Sequence, residues 1–171
     1  MDRMFKSKQW LVFYTKSRHE KTIRDHLTKQ GYKVYLPLLK ERRKWSDRKK
    51  WVEFPLFKSY LFIKIIPKDV IYALKNPGII RLVKFGGKPA IVQDKTIADL
   101  KLINEGNYDI KVVDNFMKGD KVKVRLGPLK GLEGEVITIN NKKRLMINIE
   151  AIKQSIHIRI KKEYLSKIII K

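Results

Sequence analysis

The chain has 171 residues, and its 40 Lys and Arg against 17 Asp and Glu leave a formal charge of +23. With 43% hydrophobic residues, 3 Trp, 7 Tyr and 7 Phe, it can pack a core, which excludes a disordered basic tail. The lack of Cys excludes a disulfide framework, thiolate-bound zinc and a cysteine nucleophile. No apolar stretch reaches the roughly 18 residues of a membrane-spanning helix, and the apolar run at 10–14 is too short for a signal-peptide core. These features point to a cytoplasmic protein with no membrane contact and a negatively charged partner, of which nucleic acid is the commonest.

In chain order, residues 9–15 are rich in aromatic and β-branched side chains and predict a buried strand. Ser17-Arg18-His19-Glu20 fits a capping box and predicts a helix carrying Ile23 and Leu27 on one face, ended by Gly31. Residues 32–37 predict the next strand. Between 40 and 50 seven basic residues stand against Glu41 and Asp47, with Trp45 and Trp51 flanking a polar turn, so an exposed hairpin or loop is expected. The apolar run 54–66 predicts a central strand. Pro67-Lys68-Asp69 opens a short helix closed by Asn76-Pro77-Gly78. Strands at 79–85 and 90–92 are expected to join across Gly86-Gly87, and Asp94 to cap a helix with Ile97, Leu100 and Ile103.

Residues 105–115 lack either hydrophobic period and read as a linker between a domain at 1–104 and one at 116–171. The second is β in pattern, with short strands at 121–126, 135–139, 145–149 and 155–160 and a hairpin turn at Asn140-Asn141. In the last strand Ile156, Ile158 and Ile160 alternate with His157 and Arg159, which favours a constitutive small barrel. The fold class is thus α+β, an antiparallel sheet flanked by helices, followed by an all-β barrel.

Catalytic chemistry is not signalled. The three His are scattered, no phosphate-binding loop or nucleophile elbow is present, and no carboxylate pair stands out. No catalytic residue, metal ligand or cofactor is therefore assigned. Binding chemistry is better represented. The basic arm with its Trp residues suits phosphate contact and base stacking, with Lys44, Arg48 and Lys49 as candidates. Cations at the start of the first helix oppose the helix dipole, so Lys16 and Arg18, with His26, are candidate nucleic-acid donors. The strand aromatics Tyr14, Tyr60, Phe62 and Phe85 fit either core or interface. In 119–136, glycines at 127, 131 and 134 allow a tight loop and a bent strand that present Leu129, Lys130 and Leu132.

That last segment resembles the KOW motif. The preceding hundred residues resemble the NGN domain of the NusG family of transcription elongation factors. The residues that carry this likeness are Trp10 to Lys16, Val34-Tyr35-Leu36-Pro37-Leu38, Lys44-Trp45-Ser46-Asp47-Arg48-Lys49-Lys50-Trp51, Pro55-Leu56-Phe57-Lys58-Ser59-Tyr60-Leu61-Phe62, and Gly78-Ile79-Ile80 through Phe85-Gly86. Within the family the likeness is strongest to the specialised RfaH-type and UpxY-like antiterminators.

The resemblance implies an NGN-like domain and an SH3-like KOW barrel in a non-enzymatic, monomeric factor that binds RNA polymerase and suppresses pausing and termination at specific operons. It implies that Tyr14, Tyr60, Phe62 and Phe85 meet the clamp helices of the largest subunit, and that Lys16 and His26 meet the non-template DNA strand. A gate-loop contact falls near residues 71–73, where this chain lacks the polar triplet expected. Lys58-Ser59 also replaces the Pro-Gly or Pro-Asn usual before the Tyr. For the barrel it implies a ribosomal small-subunit protein or the termination helicase as partner, through Leu129, Leu132 and Ile152. The competing readings are a KOW-containing ribosomal or other structural RNA-binding protein, which leaves the NGN-like half unexplained, and a nucleic-acid enzyme using one of the carboxylates.

Overall fold

Strand β1 (Gln9–Thr15) is buried from Trp10 through Phe13, on both faces, as its nearly unbroken apolar sequence requires. A computed structural model describes residues 7–44, 49–106, 108–114, 119–139 and 141–168. Its backbone divides into two compact units, 1–94 and 95–171.

In the first unit β1 is followed by helix α1 (Glu20–Lys29), β2 (Lys33–Tyr35), β3 (Leu38–Lys44), β4 (Lys49–Pro55), β5 (Tyr60–Ile65) and helix α2 (Val70–Leu74), then by β6 (Ile79–Leu82), β7 (Lys84–Phe85), β8 (Lys88–Pro89) and β9 (Ile91–Val92). The main sheet runs β2-β5-β1-β6, with β9 also on β1, and every pairing is antiparallel. Strand alternation sends Leu11, Phe13, Leu61, Ile63 and Ile65 to one face. There they form the core with Ile23 and Leu27 of α1 and Val70 and Ala73 of α2. Burial of each large apolar side chain contributes about 1.5–3 kcal/mol.

Three local expectations are corrected. The capping box does not form: His19 is the N-cap and makes no side-chain cap bond. The Glu20 carboxylate, buried at 3%, instead accepts a hydrogen bond of 2.8 Å from the Ser59 N–H, because that buried donor has a stronger need of an acceptor than the exposed helix end. Second, 54–66 is not one strand. It stops at Pro55 and restarts at Tyr60 after a turn in which Ser59 takes φ +63, the region a glycine would occupy. The Thr15 N–H to Ser59 carbonyl bond of 2.9 Å holds the turn against β1. Third, 79–85 breaks after Leu82, where the Val83 N–H turns to the Val12 carbonyl at 2.8 Å. A hairpin across Gly86-Gly87 does form, with φ of +53 and +77, but its arms are β7 and β8, while the strand expected at 90–92 pairs with β1 instead.

Helix α3 (Asp94–Glu105) begins at the last residue of the first unit. The second unit continues with β10 (Ile110–Val113), β11 (Asp120–Val124), β12 (Glu133–Ile139), β13 (Lys142–Ile149), β14 (Gln154–Arg159) and β15 (Leu165–Lys167). They form one antiparallel sheet in the order β10-β14-β13-β12-β11-β15. Residues 110–113, read as linker, are thus a strand on the edge of β14. Their register places Ile110 opposite Ile158 and Val112 opposite Ile156, a pairing too distant in sequence for local periodicity to reveal. The β14 alternation is real, yet His157 is buried at 2% along with Ile156 and Ile158 at 0%, so both faces of the strand are covered. Asn140 lies outside the described residues, while Asn141 takes φ +59 as a turn residue does.

Candidate interaction surfaces

Tyr14 faces Tyr60 across β1 and β5 and faces Arg81 across β1 and β6. The two rings meet edge to face at 5.4 Å, and the Arg81 guanidinium lies 5.2 Å from the Tyr14 ring. Both tyrosines are half-buried. A register shift between Tyr14 and Thr15 leaves Ile80 without an opposite partner, and its side chain is 53% exposed. Phe85, on the short β7–β8 hairpin, is 41% exposed. Phe62 is not part of this surface. It is 0% exposed, with Phe57 edge-on at 6.1 Å and Tyr35 at 6.3 Å. Period-two alternation puts residues 60 and 62 on one face but does not tell where along that face its cover begins.

The β3–β4 hairpin is a separate two-stranded sheet pairing Lys40 with Glu53, Arg42 with Trp51, Arg43 with Lys50 and Lys44 with Lys49. Lys40, Arg42, Lys49 and Lys50 are exposed and Trp51 is 62% exposed, so cations flank a largely uncovered ring. Trp45 and Arg48 lie outside the described residues. The base of the hairpin is tied to α1 where Lys21 donates to the Glu53 carbonyl at 2.8 Å.

Lys16, Arg18 and His26 are all exposed. Arg18 has φ +65, and the Lys16 N–H donates to the Gly78 carbonyl at 2.9 Å, so both sit in a fixed corner between β1 and α1. The His26 ring is engaged from within the chain, its Nδ1 2.9 Å from Asn76 Nδ2 and its Nε2 3.3 Å from Gln30 Nε2. At the other end of the sheet, the Lys64 ammonium and the Trp10 indole N–H, at 2.7 and 2.8 Å, hold the Asp94 carboxyl below its usual range.

In the second unit the three apolar candidates are interior. Leu129, Leu132 and Ile152 are 4%, 1% and 6% exposed and offer no surface to a partner. The loop folds inward because Gly127 and Gly131, at φ +81 and +93, let the Gly131 N–H reach the Val124 carbonyl at 2.9 Å. The exposed apolar residue missed from the sequence is Leu126, at 56%. It lines an open pocket of about 480 Å³ with Lys123, Arg125 and Lys130. Parity concealed it: Leu126 shares the inward parity of Val122 and Val124, but β11 ends at Val124, so that rhythm does not reach it.

Among the described residues no cluster of His, Asp and Glu is placed to hold a metal ion, and no helix is long and apolar enough to cross a membrane. The surfaces are therefore rings, cations and exposed aliphatic side chains such as Ile80 and Leu126, suited to macromolecular contact.

Comparison with known proteins agrees with this architecture. The family model described as transcription termination factor nusG matches residues 8–101, and the KOW motif matches 118–150. A Borreliella burgdorferi protein named transcription termination/antitermination protein NusG is 24% identical over 183 residues, covering 95% of this chain and all of that one. A solved structure reported as domain interaction in Thermotoga maritima NusG superposes with a TM-score of 0.54 at 22% identity, covering 94% of this chain and 97% of that chain. The α/β first part and β-rich second part are the NGN and KOW portions of the fold. This chain belongs to the NusG family of transcription factors, which places it among regulators of transcript elongation.

Proposed function

We propose that the first unit docks on the clamp helices of the largest RNA polymerase subunit through Tyr14, Tyr60 and Phe85, joined by Ile80 and Arg81. Docking across the DNA channel restrains the clamp and suppresses pausing and termination, at particular operons in the manner of the RfaH-type and UpxY-like members. The observation that carries this reading is the Tyr14–Tyr60 pair, half-buried and flanked by an isoleucine that is 53% exposed.

On this reading Lys16, Arg18 and His26 line the path of the non-template strand, and Lys44, Arg48 and Lys49 add phosphate contacts from the hairpin. A gate-loop contact would fall to Ile71 and Tyr72, exposed at 62% and 58%, and be apolar in character. The barrel's protein partner, a ribosomal small-subunit protein or the termination helicase, would engage Leu126 rather than the buried leucines. The working domains are 1–104 and a barrel that starts with β10, acting as a cytoplasmic monomer.

The test is capture of RNA polymerase by the full chain. Tyr14→Ala/Tyr60→Ala should fold and lose at least tenfold in affinity, about 1.4 kcal/mol. Full binding by a folded double variant would move the interface elsewhere.

A further inference from the structure

The second unit carries an anionic-ligand pocket of its own, independent of polymerase docking. At one end of the sheet the start of β13, the end of β14 and the chain entering β10 border an open cavity of about 550 Å³ lined by Tyr108, Asp109, Lys142, Lys143, Arg159 and Lys161, with Ile160. Four cations face one carboxylate there, and that carboxylate is occupied, since Asp109 Oδ2 accepts from the buried Arg144 at 3.2 Å. The Lys161–Glu163 pair at 3.7 Å is exposed on both sides, 71% and 67%, and screened by water. Arg144 stands directly opposite Arg159 in the β13–β14 register, a like-charge pairing that weakens a sheet. Lys142, Lys143 and Arg159 have no acidic partner among the described residues. Such a concentration of charge does nothing for the fold and matches an external polyanion.

The shape of the cavity narrows the ligand. A volume of this size is that of a small-molecule site, with room for a nucleotide, whereas a duplex keeps its bases paired and stacked inside. The cavity also contains an aromatic ring. Tyr108 lies directly against Gly106, where even a Cβ would strike the ring, so the ring has a backed, fixed seat. Stacking on such a ring with phosphates on nearby lysines is how single strands are held without sequence readout. We infer that the Tyr108, Lys142, Lys143, Arg159 and Lys161 pocket binds a single-stranded nucleic acid, one base on Tyr108 and the flanking phosphodiesters on the cations.

The test is fluorescence anisotropy of a short labelled single-stranded RNA with the full chain across a salt series, with single-stranded DNA and duplex DNA of the same sequence as further arms. Lys142→Gln/Lys143→Gln/Arg159→Gln should weaken binding at least tenfold and lower the slope of log affinity against log salt by about 2, at about 0.7 per phosphate on a single strand. Tyr108→Ala should cost about tenfold with the slope unchanged, while Tyr108→Phe retains binding. Both single strands should show these losses, and the duplex should bind more weakly. An unchanged slope in the triple variant, equal affinity for the duplex, or losses confined to Lys49→Gln/Lys50→Gln in the hairpin would overturn the assignment. Polymerase capture by the triple variant should equal wild type, so this site and the docking surface fail separately.

Discussion

The two units solve opposite problems with similar material. Residues 1–94 hold 23 basic and 8 acidic side chains, and residues 95–171 hold 17 and 9, so both are cationic. They differ in where apolar surface is left. The first keeps Tyr14 and Tyr60 half out on its sheet and Ile80, Phe85, Ile71 and Tyr72 well exposed. The second buries every apolar residue expected to meet a partner and, among its described residues, leaves only Leu126 as a large exposed hydrophobic. One unit is thus equipped for a protein contact that removes rings from water, the other for contacts that begin with charge. Apolar docking gives an affinity insensitive to salt, whereas lysine contacts weaken steeply as salt rises.

Core truncation should break the comparison most severely, and the tryptophans make it separable. Trp10, Trp45 and Trp51 all lie in the first unit, so tryptophan fluorescence follows that unit alone, while amide exchange follows the second. Phe62→Ala should lower the stability of the first unit by about 3–5 kcal/mol, the cost of emptying a fully buried aromatic site. Tyr60→Ala, on the same face two residues away, should cost far less and act on polymerase capture. If Phe62→Ala melts like wild type, the division of this sheet face into core and interface is wrong. Leu132→Ala should cost about 2–5 kcal/mol in the second unit without altering tryptophan fluorescence.

A smaller effect is expected at the joint between α1 and β5. Glu20→Gln keeps the shape but replaces an ionised acceptor of the buried Ser59 N–H by a neutral one. Hydrogen bonds to charged groups contribute about 1.5–3 kcal/mol against about 1 for neutral pairs, so a loss of about 1 kcal/mol is expected from thermal melts of the first unit. An unchanged melt would mean that the bond contributes no more than its neutral counterpart.

These residues also mark how far the sequence could be read. The elements that depend on near neighbours were legible: β1, the α1 stripe of Ile23 and Leu27, the Gly86-Gly87 hairpin and the basic arm all have local causes. What was not legible rests on distant partners. Glu20 looked like a helix cap because the capping box is a local pattern, and only the fold brings Ser59, 39 residues away, to compete for it. Residues 110–113 looked like linker because their pairing strand lies more than forty residues on. At the candidate sites the aromatic face was legible by parity, but the depth of Phe62, Leu129, Leu132 and Ile152 depends on the neighbours that cover them. The pocket around Tyr108 was invisible for the same reason, since its lining comes from three separate stretches of chain.

Acid should distinguish the units next. Burial, reinforced by the nearby Arg144 charge, pushes the His157 pKa below its ordinary value of 6.5, and its Nε2 lies 3.1 Å from Ser155 Oγ. Because the folded state disfavours the proton, the unfolded chain takes it up first as pH falls. The stabilisation is present above about 6.5 and is lost progressively below it. The second unit should therefore lose amide protection between pH 7 and 5, and His157→Gln should flatten that dependence. In the first unit Asp25 and Asp94 have lowered pKa values, and their contribution is lost only as pH falls through the carboxylate range. Equal sensitivity of both units from pH 7 to 5 would contradict this.

The smallest effect concerns the turn that sets Tyr60 in place. Ser59 holds φ +63 where a side chain costs about 1–2 kcal/mol, whereas glycine is unstrained but adds about 0.5–1 kcal/mol of chain entropy to the unfolded state. Ser59→Gly should therefore stabilise the first unit by up to about 1 kcal/mol, since both bonds that fix the turn use the Ser59 backbone and survive the change. Polymerase capture should be unaltered, because Tyr60 keeps its register opposite Tyr14. A destabilised Ser59→Gly chain would mean that the serine hydroxyl, on a residue only 8% exposed, contributes more than the strain its backbone imposes.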